Sequence, residues 1–354
     1  MSSTAIEEKK ANDISQIKLF IGFIASVIVV IILHQLRGIF VPLCLALLLY
    51  FFFNGVYKLL LRKRIPKIIV LFFLLIFIFI LLYFFGVLIY ASISSFIDKF
   101  PNYGDKITEI IKEVFTQMKI PIARFHTYIE QLDITKGIDP TRVTEIISTA
   151  FGSFATFVGH MVLILIFLMF MLAGRGALSG RITKAFDPRR TNKIEYILNS
   201  IEDQVQQYLL IKTLINLANG IICGVILFAF GMDFYIFSAL LIFVMHYIPN
   251  FGAVVATLFP ISIAFLKFGF SLPALLIAIL LTLVQVIIGN ILEPKITGKS
   301  LNLSPILILI SLIFWGYVWG VTGMILAVPV TSAIKIIFEN LPGLRPIAEI
   351  ISAE

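Results

Sequence analysis

The sequence predicts an all-α, polytopic integral membrane protein of about eight transmembrane segments, with broken or re-entrant helices in its C-terminal third. Three observations predict it. Of 354 residues, 60% are hydrophobic and only 14% charged, whereas a soluble domain carries about 25% charged residues. Several apolar runs reach the ~20 residues a helix needs to cross a bilayer. The later runs are interrupted by proline and glycine, as in "HYIPNFG" at 246–252 and "WGYVWGVTG" at 315–323. A mean hydropathy of +1.04 overrides the two or three soluble domains that length alone suggests.

The elements follow in order. A first span runs from about Leu19 to Leu33, and after "HQLRG" a second runs from Ile39 to Leu61. The turn "KLLLRKRIPK" then carries five cations and no acid. Cationic loops stay on the cytoplasmic side, so this turn and the N-terminus two spans before it are expected in the cytoplasm. A third span covers Ile68 to about Tyr90. Residues 92–150 balance acids against bases, and Ile107, Ile110, Ile111, Val114, Phe115 and Met118 repeat with helical spacing. They read as an amphipathic helical excursion outside the membrane. A fourth span, Phe151 to Leu172, precedes a second cationic loop containing Arg175, Arg181, Lys184, Arg189, Arg190 and Lys193. An amphipathic stripe from Ile194 to Leu209 then leads into a fifth span ending near Phe230.

Beyond that point the pattern is irregular. Pro249, Asn250 and Gly252 break one apolar unit; a span from Leu272 to Leu292 follows; Gly316, Gly320, Gly323 and Pro329 break the last unit. Backbone breaks at membrane depth survive where protein or a wet cavity supplies partners, and two broken units in one half of a chain point to a transport site. Ordinary helical hairpins with turns at the interface are the alternative.

Polar groups within apolar runs are the candidate site residues, because each is expensive in lipid. Asn216 and Asn219 share a face with Lys212 and Cys223 on the fifth span, beside the small pair Gly220 and Gly224. Lys212 itself is expected to snorkel to the headgroups. Gln285, Asn290 and Glu293 polarise the end of the seventh run. A carboxylate withdrawn from water can exchange a proton, which suits cation coupling; alternatively Glu293 pairs with Lys295 or Lys299 at the cytoplasmic mouth. Pro249, Asn250 and Gly252 would expose amides at a half-helix start, which favours anionic or hydroxyl-rich ligands. Gly316 and Gly320 would do the same from the other side. Trp315, Tyr317 and Trp319 fit an interfacial aromatic belt.

Other chemistry is excluded. The net charge of +8 flanks the apolar runs rather than forming a nucleic-acid footprint. Cys44 and Cys223 sit in apolar runs, which disfavours a disulfide framework or a zinc site. No Walker, dinucleotide or HExxH pattern occurs, so no cofactor is expected, and no nucleophile–base pair is spaced for catalysis. The polar, acid-containing start is unlike a cleavable signal peptide.

The segments "HYIPNFGAVVATLFP" (246–260), "EPKITGKSLNLSP" (293–305) and "GVTGMILAVPVTSAIK" (320–335), in this order, resemble the autoinducer-2 exporter family of bacterial membrane proteins. The resemblance extends to the layout of the whole chain. The sequence departs from the family pattern at Asn302, where glycine is usual, at Ser304, often histidine, and at Ala253, often proline. The resemblance implies a homo-oligomeric, multi-pass permease of the bacterial cytoplasmic (inner) membrane. Its partners would be the lipid bilayer and a small polar solute or cation, with no nucleic acid. The implied activities are export of a small polar signalling molecule such as autoinducer-2 and Na+(Li+)/H+ antiport; a non-transporting oligomeric membrane scaffold is the reading of another class. The expected division is scaffold spans at 1–90, an extramembrane helical segment at 91–150, a span with its basic loop at 151–204, and a transport unit at 205–354.

Overall fold

The computed structural model describes residues 20–22, 24–99, 140–249, 251–297, 302–341 and 343–352. Most of the amphipathic excursion expected at 92–150 lies outside them. The first helices are α1 (Phe20–Gln35), α2 (Arg37–Arg62), α3 (Lys67–Lys99), α4 (Pro140–Ala185) and α5 (Pro188–Ala229). Among the described residues, six helices are long and apolar enough to cross a bilayer, and three more are apolar but shorter. The chain is a multi-pass membrane protein.

Both cationic turns lie at one end of the molecule. Lys58, near the end of α2, donates to Glu202 of α5 at 2.7 Å, and α5 starts from the α4–α5 turn about 21 Å further along, so both turns lie toward the same end. We call this the basic end. There Asp187 starts α5: its carboxylate accepts from the Arg190 amide at 2.8 Å, with Pro188 in the first turn. This is N-capping by an acidic side chain with proline where no amide partner is required. At the opposite end Gly231 adopts φ +62°. Its amide bonds the Phe228 carbonyl while the Met232 amide bonds Leu227, both at 2.9 Å, the paired bonds that glycine permits after a helix. No linker occurs at residues 204 and 205, because α5 runs through them.

The two units broken by proline and glycine are helical hairpins. In the first, α6 (Tyr235–Met245) and α7 (Phe251–Phe268) lie side by side. The Phe237 and Phe259 rings are 5.2 Å apart, although 22 residues of straight helix would span about 33 Å. The 11 residues of α6 reach only about 16 Å, against a hydrocarbon core of ~30 Å. At the tip, a Cβ on Gly252 would overlap the Met245 carbonyl, so only glycine lets the arms approach this closely. Lys267 closes the open end, bonding Asp233 at 2.9 Å and the Gly231 carbonyl at 2.7 Å.

A rod, α8 (Leu272–Gln285), continues through a π-helix (Val286–Leu292) into α9 (Glu293–Thr297) and returns to the basic end. The second hairpin is α10, Pro305–Asn340. As one rod its 36 residues would measure about 54 Å. Instead Gly320, at φ 66° and ψ −147°, folds the helix back on itself. The Thr331 hydroxyl bonds Ser311 at 3.0 Å across 20 residues that would otherwise separate them by about 30 Å. Residues 305–319 and 321–340 are the two arms. Gly323 lies against the Trp315 carbonyl and Gly316 against Met324. Ser304 caps the first arm, accepting from the Leu307 amide at 3.2 Å.

The hairpins open toward opposite ends. The first hangs from the α5–α6 turn; the second stands on the basic end. Their tips share one apolar cluster, in which Ile248 joins Leu312, Trp315, Val318, Trp319 and Leu326. A second core unites α5 to α8 around Cys223, Leu227, Ile242, Ile263 and Leu281. A third unites α2 to α5 around Phe53, Leu74, Leu168 and Val205. The expected aromatic belt is corrected here. Trp315 and Trp319 are buried, with ring centroids 4.8 Å apart, because the turn at Gly320 folds them inward. The Trp319 indole donates to the Leu33 carbonyl of α1 at 3.0 Å. Of the three rings only Tyr317 is exposed, beside the His34 ring.

The last helix, α11 (Arg345–Ile351), braces the base of the second hairpin. The Ser304 amide bonds the Ile351 carbonyl at 3.2 Å, and Leu303 and Ser352 form an isolated β-bridge. Asn302, standing where glycine is usual, has φ +44°. Asparagine tolerates the left-handed region better than most side chains, and its carbonyl accepts from buried Lys335 at 2.9 Å.

Candidate transport site

The polar residues of α5 face inward in a column. Lys212, Asn216 and Asn219 recur at i, i+4 and i+7, so one helical face carries all three. They are 3%, 0% and 0% exposed. Against α5 pack α6, α8, α9 and α10.

At the lower level Lys212 pairs with Glu293. Lys212 does not snorkel, and Glu293 does not take its neighbour Lys295. The reason is tertiary: α9 lies against α5, and a buried ammonium needs a carboxylate more than a solvated one does. The Glu293 side chain keeps 27% exposure against 4% for Lys212, so the carboxylate end of the pair is the more open one. Beside it the Thr213 hydroxyl and the Tyr247 hydroxyl of the first hairpin's tip are 2.6 Å apart.

At the upper level Asn219, His246 and Gln285 meet. The Asn219 amide nitrogen is 2.9 Å from His246 Nε2, Gln285 Oε1 is 2.7 Å from the same nitrogen, and His246 Nδ1 is 2.8 Å from the Ile242 carbonyl. A neutral imidazole donating through Nδ1 to the Ile242 carbonyl accepts from the Asn219 amide at Nε2. Cys223 Sγ is 3.4 Å from Asn219 Oδ1.

The π-helix explains how one rod serves both levels. On α5, Lys212 and Asn219 are seven residues apart, about 700° of helix, and so share a face. Gln285 and Glu293 are eight apart, which in an α-helix would leave Glu293 about 80° off that face. A π turn absorbs an extra residue, and both side chains reach α5.

Between the levels Asn216 has no partner at either side-chain atom, and the Gln285 nitrogen is also unpaired. Buried amides are normally bonded, and leaving one unmatched costs about 1–3 kcal/mol per group. Both α5 and α8 thus carry unused hydrogen-bonding capacity.

The remaining candidates divide. Pro249 lies in the first hairpin's turn, where its carbonyl accepts from the Phe251 amide at 2.6 Å; Asn250 lies outside the described residues. Gly252, Gly316 and Gly320 shape the two hairpins. Asn290 is exposed on the π-helix and joins none of these contacts. His246 has no side-chain partner at helical spacing, since its side-chain partners stand 27 and 39 residues away. Glu202 and Asn54 form a further buried pair that the sequence reading passed over. Glu202 falls on the stripe Leu198, Val205, Leu209, and an acid on an apolar stripe was the available signal. Among the described residues no group of three His, Cys, Asp or Glu could hold a metal ion.

The family pattern described as AI-2E family transporter matches residues 20–343. The chain belongs to this family. AI-2E relatives align over nearly the whole chain. A Borreliella burgdorferi protein, provisionally named a transport protein, is 31% identical over 327 residues, covering 91% of this chain and 88% of the relative. The AI-2 transport protein TqsA of Escherichia coli is 29% identical over 329 residues, covering 91% and 93%. A provisionally named transport protein of Haemophilus influenzae is 26% identical over 337 residues, covering 94% and 95%. The AI-2E assignment makes the chain a transporter rather than an enzyme.

Proposed function

We propose that this AI-2E transporter is a secondary carrier of the bacterial cytoplasmic membrane that exports a small polar metabolite or signalling molecule such as autoinducer-2. The basic end faces the cytoplasm, which puts the N-terminus there too, and the carrier works as a homo-oligomer. Residues 205–354 shift as a transport unit against the scaffold of 1–90, with 91–150 as an extramembrane segment and 151–204 as the connecting span and basic loop. The observation that carries this reading is buried, unpartnered Asn216, set between the Lys212–Glu293 pair and the Asn219–His246–Gln285 trio where two oppositely opening hairpins meet. Opposed broken helices at mid-membrane are the recurrent frame of solute sites in carriers. The name of TqsA supports the choice of solute. The test is flux of autoinducer-2 and other small polar solutes from proteoliposomes. Saturable flux that falls in Asn216→Leu supports the reading; equal flux in that variant, or none with any solute, removes it.

A second reading, Na+(Li+)/H+ antiport, is favoured by the Lys212–Glu293 pair. Protonating Glu293 would release a buried ammonium, which couples proton uptake to rearrangement. Each charge crossing the membrane is worth about 2.3 kcal/mol per 100 mV, enough to drive such a cycle. Dye-reported proton movement on adding sodium distinguishes the readings. Glu293→Gln abolishes pH-dependent transport if the pair is the coupling element.

A further inference from the structure

The rod that carries Gln285 and Glu293 changes register at a proline. At the end of the π-helix the Glu293 amide bonds the Ile288 carbonyl, five residues back, where an α-helix would use the carbonyl four back. Pro294 follows directly. It has no amide to donate, and in an α-helix its ring would collide with the carbonyl of the residue four back, here Asn290. A turn widened by one residue leaves that register before the ring is reached. Proline alone does not announce a π turn, because it also kinks and ends helices; the Glu293–Ile288 bond identifies the outcome here. Packing does little to fix how α9 is rotated. Pro294, Lys295 and Ile296 are exposed, and of residues 293–296 Glu293 alone is partly covered. A Cβ on Gly289, at the centre of the π-helix, would meet nothing within 4 Å, so no neighbour presses on the wide turn at that point.

We propose that Pro294 is a positioning residue of the carrier: by excluding the α register it holds the Glu293 carboxylate on Lys212. Glu293 stands eight residues beyond Gln285 and would lie about 80° off the α5 face in an α-helix. Pro294 thus acts through Glu293 and not on the solute. Helix propensity alone predicts the opposite role, since alanine in place of a proline inside a helix favours the helix. The effect on flux rests on the carrier reading above; the geometry does not.

A register cycle tests this. Lys212→Cys and Glu293→Cys are introduced together into the full chain after Cys44→Ala and Cys223→Ala. A short bifunctional methanethiosulfonate bridges the new pair in detergent, and the bridge is quantified by mass spectrometry of the digested protein. Four backbones are compared: the parent, Pro294→Ala, deletion of Gly289, and both changes together. The deletion brings position 293 to seven residues from Gln285, the spacing of one α-helical face. Expected are bridging in the parent, a loss of at least about tenfold in either single change, well within what an interior proline costs an α-helix, and recovery in the combined change. General destabilisation would accumulate in the combination and not cancel. Equal bridging in the parent and Pro294→Ala overturns the proposal, as does a combination that bridges no better than the single changes. The same four backbones with Lys212, Glu293 and both native cysteines retained are assayed for autoinducer-2 flux in proteoliposomes. Flux lost in each single change and regained in the combination supports the positioning role; flux unaffected by Pro294→Ala overturns it. A parent without flux removes the carrier reading instead, because the bridging is read without transport.

Discussion

Removing Glu293 should destabilise the protein more than removing Lys212. Lys212 is 3% exposed, so without its carboxylate it becomes a buried, unpaired ammonium. Breaking such a pair from one side costs about 3–5 kcal/mol, and insertion measurements put a lone lysine at the centre of a membrane helix at about 2.5–3.5 kcal/mol. About 3 kcal/mol is therefore expected for Glu293→Ala. The reverse change leaves a carboxylate whose side chain is 27% exposed and can be rehydrated. Lys212→Met should therefore cost less, about 1.5–2 kcal/mol, the lower end of what a hydrogen bond to a charged group is worth. The double variant leaves no charge behind and should recover most of the loss, giving a coupling energy of about 2 kcal/mol or more in a double-mutant cycle. Equilibrium unfolding in mixed micelles measures all four proteins. Additive single effects, or a larger loss for Lys212→Met, would refute the argument that the lysine is the costly partner.

Other outcomes follow from the same geometry. Asn216→Leu removes an amide with no partner, so stability should hold or rise by up to about 1 kcal/mol while flux falls; parallel loss of both would make Asn216 merely structural. Gly320→Ala forces a side chain into a backbone region that essentially only glycine occupies, a cost of about 1–3 kcal/mol, read as a lower midpoint of thermal unfolding in detergent. Gly252→Ala, which drives a methyl into the Met245 carbonyl, should reduce the yield of folded protein more than Gly289→Ala, where nothing lies within 4 Å. Trp319→Phe deletes the indole bond to Leu33 and should cost about 1 kcal/mol by the same unfolding measurement.

Much of the architecture was legible in the chain, because lipid imposes long apolar runs and punishes interruptions. The breaks at 246–252 and 315–323 marked where the apolar units are interrupted, but left broken spans and helical hairpins as alternatives. What escaped was whatever depends on a distant partner. Lys212 reads as a snorkelling lysine until a carboxylate 81 residues away is folded against it. Trp315 and Trp319 read as interfacial until a glycine between the arms turns them inward. The seven- and eight-residue intervals on α5 and α8 look incompatible until a π-helix absorbs the difference, and no sequence pattern marks where such a turn falls. Asn216 and Asn219 were recognisable because their spacing is local. The pairing of His246 was not, because its spacing is not.

The bridge between Leu303 and Ser352 bears on how the protein is made. The loop that starts the second hairpin is fastened by residues translated about fifty positions later, and at about 5–20 residues per second the ribosome needs several seconds to supply them. Until then the nascent hairpin lacks this anchor. A reporter or affinity handle fused directly after Ser352 would burden that fastening step, so the opposite terminus is the safer place for one.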